Sequence, residues 1–406
     1  MDSHGRQAGW APTSGEERHE FLDVLRGVAL FGIIVANMIL YSLYAYLPET
    51  AKTGMVTASS DRVLDFLELL LIEGKFYTIF SILFGIGFSI LIIRTRAKGL
   101  VFHRFFLRRV FILYLIGVAH ALFFWHDDIL QFYAFCGALL LPFVSCRDRT
   151  IVICAALALV TPTVLHAVGG IPPGTFLGPG DLLFERFGFT PETRVDVWAG
   201  GGLPEIVRLN LGSWFNQLDY VVTSGMIFRI FGCFLLGFLI GRNELFRNLP
   251  ASRRMIERLV IIGFAVGIPL NLIYAITYGS ESWLHAASAT LGILPLSAGY
   301  ACLVALIWIA PGGGTRLRCF APVGRMALTN YVGQSVVCSL LFYGTGLGLG
   351  GRVGPTVYLP IGIAVYAAQV AASRAWLTRF RYGPLEWLWR VLTYGRWFPL
   401  RKRVTT

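Results

Sequence analysis

The chain has 406 residues, 55% of them hydrophobic and 14% charged, with a mean hydropathy of +0.64 and a net charge of +12. Soluble domains carry about 25% charged residues, so this composition excludes a disordered chain and a nucleic-acid partner and points away from a cytosolic enzyme. It predicts an all-α polytopic membrane bundle, long enough for about ten spans of ~20 residues.

In chain order, residues 1–20 are polar and read as a disordered tail. They lack the basic n-region and short apolar core of a cleaved leader, so the first span is expected to be an uncleaved anchor. Apolar runs predict ten spans near 21–46, 76–94, 106–125, 128–146, 150–168, 218–241, 256–278, 285–310, 320–343 and 355–378. The gap between the third and fourth predicts a tight hairpin at His126-Asp127. Residues 21–380 are thus expected to form one bundle, and 381–406 a basic interfacial segment.

Three stretches do not read as spans. Residues 61–73 set Asp61, Arg62, Asp65 and Glu68 among leucines, which predicts an amphipathic helix lying on the outer face. Residues 169–217 predict a long outer segment, rich in Gly and Pro at first and helical near Leu203 to Trp214. Residues 384–395 mix Trp387 and Trp389 with Arg390, as an interfacial anchor helix does.

With a cytoplasmic amino terminus, 27 of the 35 Lys and Arg fall in inner segments and six in outer ones. Every inner loop is then basic, so both termini are expected to face the cytoplasm, and the net charge is topological. The seven Cys form no CxxC and sit in or beside apolar runs. Neither a disulfide framework nor a metal site is expected.

Ionisable groups inside spans carry a cost of at least ~2.5–3.5 kcal/mol, which makes them the first candidates for function. Asp23 and Arg26 share one face of the first span and are spaced to pair, as an interfacial ion pair or a phosphate site. Asn37 sits about midway along that span. Arg229 lies near the middle of the sixth predicted span with no partner within a turn, so a ligand or another helix must supply its counter-charge. His120 lies inside the third span, and the hairpin is expected to fold Asp128 back toward it, as a carboxylate orients a general base. His126 and Asp127 follow at the outer end, with His166 and His285 on the same face. The run Gly344 to Gly351 is not GxGxxG and follows no strand, so it predicts a flexible loop rather than a nucleotide site. Gly237 and Gly241 make one GxxxG packing motif.

The stretches LDVLRGVALFGIIVAN, EGKFYTIFSILFGIGF, RRVFILYLIGVAHALFFWHDDILQFYA, VGRMALTNYVGQSVVCSLLFYG and RFRYGPLEWLWRVLTYGR resemble the YeiB family of bacterial inner-membrane proteins, across residues 20 to 397. That resemblance implies a bacterial inner-membrane location and a kinship with transmembrane acyltransferases. Those include the acyltransferase-3 proteins and heparan-α-glucosaminide N-acetyltransferase, whose first span opens with Asp-x-x-Arg-Gly. Asp23, Arg26 and Gly27 match that element. Where acyltransferase-3 proteins place a catalytic His, this chain has Asn37, whose amide takes no proton at neutral pH.

Three readings follow as expectations. The first is an acyltransferase with a cytoplasmic acyl-CoA donor whose phosphates lie near Arg26 and the basic 94–109 loop, Asp23, Arg26, Asn37 and Arg229 binding substrates, and His120 with Asp128 as the base. The second is a permease for a small solute or lipid, and a scaffold or sensor without turnover is a third. Expected partners are membrane lipids and a small-molecule substrate, with assembly into homo-oligomers left open.

Overall fold

Helix dominates the described residues because apolar side chains outnumber polar ones and a bilayer leaves backbone groups no other partners. The computed structural model describes residues 19–97, 102–172, 174–175, 179–280 and 282–402. The expected polar tail therefore falls, but for residues 19 and 20, outside the described residues.

We number the helices longer than two turns α1 Glu20–Tyr41, α2 Ala58–Leu71, α3 Lys75–Ala97, α4 Phe102–Phe123, α5 Leu130–Leu139, α6 Asp148–Ala167, α7 Pro179–Phe187, α8 Pro191–Gly200, α9 Leu203–Thr223, α10 Met226–Arg242, α11 Arg253–Ile276, α12 Trp283–Ile309, α13 Ala327–Phe342, α14 Pro355–Arg379 and α15 Pro384–Tyr394. Among the described residues, seven helical stretches are long and apolar enough to cross a membrane, eight if the bent pair α9–α10 counts as one span. Two shorter apolar segments, Leu130–Ser145 and Ala327–Phe342, lie where the fourth and ninth spans were predicted. Large apolar side chains such as Phe111, Leu157 and Ile261 point outward, as the lipid-facing side of a membrane bundle requires.

Close helix contacts rest on glycine. A side chain at Gly237 would run into the Ile82 carbonyl of α3, and one at Gly241 would meet Ser89 Cβ at 2.6 Å. The predicted GxxxG is thus the α10 side of the α3–α10 contact. On α11 and α12, Gly263 and Gly299 approach in the same way, a Cβ on Gly263 lying 2.7 Å from the Gly299 Cα.

Three expectations are corrected. The predicted span 218–241 is broken: α9 and α10 meet at 65°, at Ser224 and Gly225, where Gly225 takes φ +71° beside Pro162. Helix α2 turns its acids inward, not toward the surrounding medium. Asp61 and Glu68 are 0% and 6% exposed, whereas Val63 is 58% exposed. Asp61 accepts from the Thr356 amide at 2.8 Å and Glu68 from the Tyr358 hydroxyl at 3.2 Å. The glycine run 344–351 is held by its backbone rather than left loose: Gly344 N donates to Trp198 O and Gly351 N to Ser42 O, both at 2.8 Å.

At the face where α1 begins, here the amino-terminal face, α15 lies across the bundle. The Trp389 indole donates to the Arg109 carbonyl at 2.8 Å, and the half-buried Glu386 carboxylate accepts from Thr329 N at 3.0 Å and Thr329 Oγ1 at 2.6 Å. At the opposite face, α7 and α8 form a cap whose Trp198 ring stacks on His126 at 5.0 Å.

Candidate functional site

A single cavity of about 770 Å³ runs along the inside of α1, which lines it from Leu22 to Leu40. At 1.5 Å per residue that is a path of about 25 Å, close to the hydrocarbon thickness of a bilayer. The cavity changes character along its length, and the sequence of each lining helix explains the change.

At the amino-terminal face the wall is cationic. Arg26, Arg94, Arg109, Arg325 and Arg390 line it, with Asp23 and Glu386 as the carboxylates. Asp23 and Arg26 pair at 3.0 Å, the Asp23 side chain 3% and the Arg26 side chain 27% exposed. Each Arg comes from a different segment, and α15 brings the last of them by crossing under the bundle. The Arg109 guanidinium lies 3.6 Å above the Trp389 ring, a cation–π contact that orders both.

The middle is mainly apolar, walled by Ile33, Ala36, Leu83, Phe84 and Phe88, with Asn37 and Tyr133 as its polar points. Asn37 hydrogen-bonds Tyr41. The Tyr133 hydroxyl donates to the Tyr77 carbonyl at 3.0 Å.

The opposite end is a polar chamber. Glu73 and Asp127 face it together with His126, Tyr220, Tyr274, Tyr278 and Arg229. Asp127 and His126 lie in the loop between α4 and α5, outside the helices. Burial, reinforced by the charges of Glu73 and Asp128, pushes the Asp127 carboxyl up to about 7. Burial pushes His126 down to about 4, so its ring is neutral at pH 7. It shares a hydrogen bond of 3.1 Å with the Tyr46 hydroxyl.

Arg229 is the fourth residue of α10, in the first turn after the break, and not mid-span as the unbroken helix predicted. Its Nε is buried with no hydrogen-bond partner. Among the described residues no carboxylate comes within ion-pair distance of it, and Tyr77, Tyr274 and Tyr220 are the groups that act on it most strongly.

His120 and Asp128 do meet, Nδ1 to Oδ1 at 2.8 Å, with side chains 1% and 0% exposed. Asp128 also accepts from Gln131 N at 3.1 Å, capping the start of α5. Gly117 makes room for the pair: a Cβ there would sit 2.7 Å from Asp128 Oδ2. The loop between α4 and α5 spans 124–129, longer than the two residues predicted, and this lets the carboxylate fold back. Asp128 reaches the cavity wall, but His120 stands behind it, beside Trp125 and Tyr331, its Nε2 buried without a partner.

Of the six residues singled out from sequence, the cavity therefore gathers Asp23, Arg26, Asn37, Arg229 and Asp128 and leaves His120 outside. Sequence reasoning missed Glu73 and Asp127 as site groups and the arrival of Arg325 and Arg390 beside Arg26 and the 94–109 stretch. Asp127 carried one usable signal, since an Asp-Asp pair directly after a buried His seldom serves solubility alone.

The family described as "Protein of unknown function (DUF418)" matches residues 240–396, which hold α11 to α15 and thus Tyr274, Arg325 and Arg390. The chain is 32% identical to "Uncharacterized protein YxaH" of Bacillus subtilis (strain 168), over 97% of this chain and 98% of that protein. It is 31% identical to "Uncharacterized protein YeiB" of Escherichia coli (strain K12), over 93% and 96% of the two chains. An uncharacterised 39.9 kDa protein from the amylase 3′ region of Bacillus acidopullulyticus is 30% identical over 96% and 97%.

Proposed function

The chain belongs to the family of YeiB and YxaH, and from that premise we propose that it is an acyltransferase of the bacterial inner membrane, passing an acyl group from a cytoplasmic acyl-CoA to an acceptor at the other face. The observation that carries this reading is the polarity of one cavity: arginines at one end, carboxyls at the other, an apolar passage between them.

Each part has a task. The amino-terminal face is the cytoplasmic one, by its excess of Arg. There Arg26, Arg325 and Arg390 take the donor's phosphates, which guanidinium forks bind in pairs of hydrogen bonds. The donor's pantetheine arm lies along the apolar middle and carries the thioester to the far chamber. The acceptor hydroxyl or amine attacks the thioester carbonyl while Asp127, a base poised near neutrality, takes its proton. A bond forms between acceptor and acyl carbon, the carbon–sulfur bond breaks, and the proton returns to the departing thiolate. The Asn37 amide is the cavity's donor for the oxyanion that forms between these events. His120 acts through Asp128, fixing the loop that presents Asp127, and is a positioning residue.

The test is direct. Purified protein in lipid nanodiscs is mixed with acetyl-CoA and palmitoyl-CoA, and binding and free thiol are followed. Saturable binding that weakens at least ~10-fold on Arg325→Ala, with slow thiol release lost on Asp127→Asn, is the expected result. No binding of either donor sinks the proposal. The break between α9 and α10 favours a second reading, since secondary transporters hold solutes at interrupted helices. Solute flux into proteoliposomes without any acyl donor would identify it.

A further inference from the structure

Arg229 is a cation held where a cation is doubly costly, inside a membrane helix and in its first turn, where the backbone dipole opposes it. Its Nε is buried without a partner. Glu73 interacts with it only at a distance, without an ion pair, and has Lys75 as its foremost counter-charge. Lys75 is buried, donates to the Leu69 carbonyl at 2.7 Å and does not line the cavity. Lys75 is thus the stronger counter-charge to Glu73, and among the described residues Arg229 has no close one.

Around the guanidinium stand phenols, Tyr77, Tyr220 and Tyr274, which give a ligand both hydroxyls and ring faces. Asp127 faces the same chamber. A phosphate monoester brings close to two negative charges and would set them against Glu73 and Asp127. A single carboxylate balances Arg229 and fits its fork.

We infer that this end of the cavity binds a small monocarboxylate that also carries a hydroxyl or amino group, the carboxylate on Arg229 and the second group toward Asp127. Its role as the acyl acceptor rests on the acyltransferase reading; the binding site does not. Two sources share this chemistry, sugar acids and amino acids.

The experiment uses the full chain in nanodiscs. Glucuronate and L-serine are titrated separately, with glucose, L-serinamide and inorganic phosphate as comparators. Fluorescence of Trp125 and Trp198 near the chamber and the melting temperature are read together. At least one of the two acids is expected to bind and raise the melting temperature, with every comparator at least ~10-fold weaker. Which acid binds tells the sources apart. Arg229→Gln should weaken binding at least ~10-fold, and Arg229→Lys should retain part of it. Should Arg229→Gln not fold, Arg229→Lys and the acid-against-neutral comparison on the native chain still decide. Equal binding of glucuronate and glucose, phosphate binding as tight as either acid, no binding of either acid, or full binding by Arg229→Gln would overturn the inference. Palmitoyl-CoA binding on the same samples separates the two claims. Acid binding without it removes the acyltransferase and keeps the site; the reverse removes the site alone.

Discussion

His120 Nδ1 and Asp128 Oδ1 stand 2.8 Å apart, closed off from solvent, across the turn that joins α4 to α5. Facing a carboxylate oxygen, Nδ1 is the donor of this hydrogen bond. The same carboxylate caps α5 through the Gln131 amide. This pair is structural first. Asp128→Ala breaks both bonds and strands a buried imidazole donor, a loss of about 1–3 kcal/mol. Asp127→Asn, next door, should change stability far less and abolish acyl transfer. Thermal melts and thiol release on both variants check this. A His120→Ala protein that melts normally yet releases no thiol would make His120 the base instead.

The pH dependence follows from Asp127, which burial holds at about 7. As a base it works deprotonated, so transfer should rise with pH through about 7 and level off above. Stability should run the other way. Between its unfolded value and about 7 the folded chain holds the proton that the unfolded chain has lost, so stability from this group is present at low pH and declines as pH rises through that window. A pH–rate profile of the native chain beside Asp127→Glu, which keeps a carboxyl, is the measurement. An inflection that stays away from neutrality in the native chain would exclude Asp127.

At the other end of the cavity the prediction is one of salt and affinity. Arg26, Arg325 and Arg390 come from three separate segments and face one space. Replacing any one by Ala should weaken CoA binding by about 10- to 100-fold, in line with about 1.5–3 kcal/mol for a charge-assisted hydrogen bond. Arg26→Ala should do more, because it also leaves the buried Asp23 without its 3.0 Å partner. Calorimetry with CoA at two ionic strengths reads both effects, and affinity independent of all three residues refutes the donor site.

How much of this was legible in the sequence depends on how local each relation is. The Asp23–Arg26 pair follows from helix spacing alone, and the His120–Asp128 contact from a short turn. Arg229 was visible as a misplaced charge, but its position was not. The break that moves it to a first turn depends on Gly225 meeting Pro162, from another helix. Helix α2 was read inside out because a bilayer inverts the usual rule: its apolar side faces lipid and its acids find the protein. The basic stretch that holds Arg94 and Arg109 was expected beside Arg26, but Arg325 and Arg390 were counted only as orientation signals, a role that hides any convergence. Asp127 looked like a loop residue, and only a cap bearing Trp198 over its neighbour encloses that loop.

That break between α9 and α10 can be tested with a matched pair of glycines. Gly225 has φ +71°, and a Cβ on it would lie 2.8 Å from Pro162 Cβ. Gly279 has φ +80°, and nothing lies within 4 Å of the equivalent position. Both substitutions to Ala incur the left-handed cost of ~1–2 kcal/mol, but only Gly225→Ala adds an overpacking cost of ~1–3 kcal/mol. The difference in stability between the two variants should therefore be about 1–3 kcal/mol. Because Arg229 follows Gly225 by one turn, Gly225→Ala should also weaken glucuronate or L-serine binding, while Gly279→Ala leaves it intact. Denaturation and binding isotherms of the two proteins measure both. Equal losses from the two would mean that the bend does not depend on Pro162, and that Arg229 is held in place by its own surroundings.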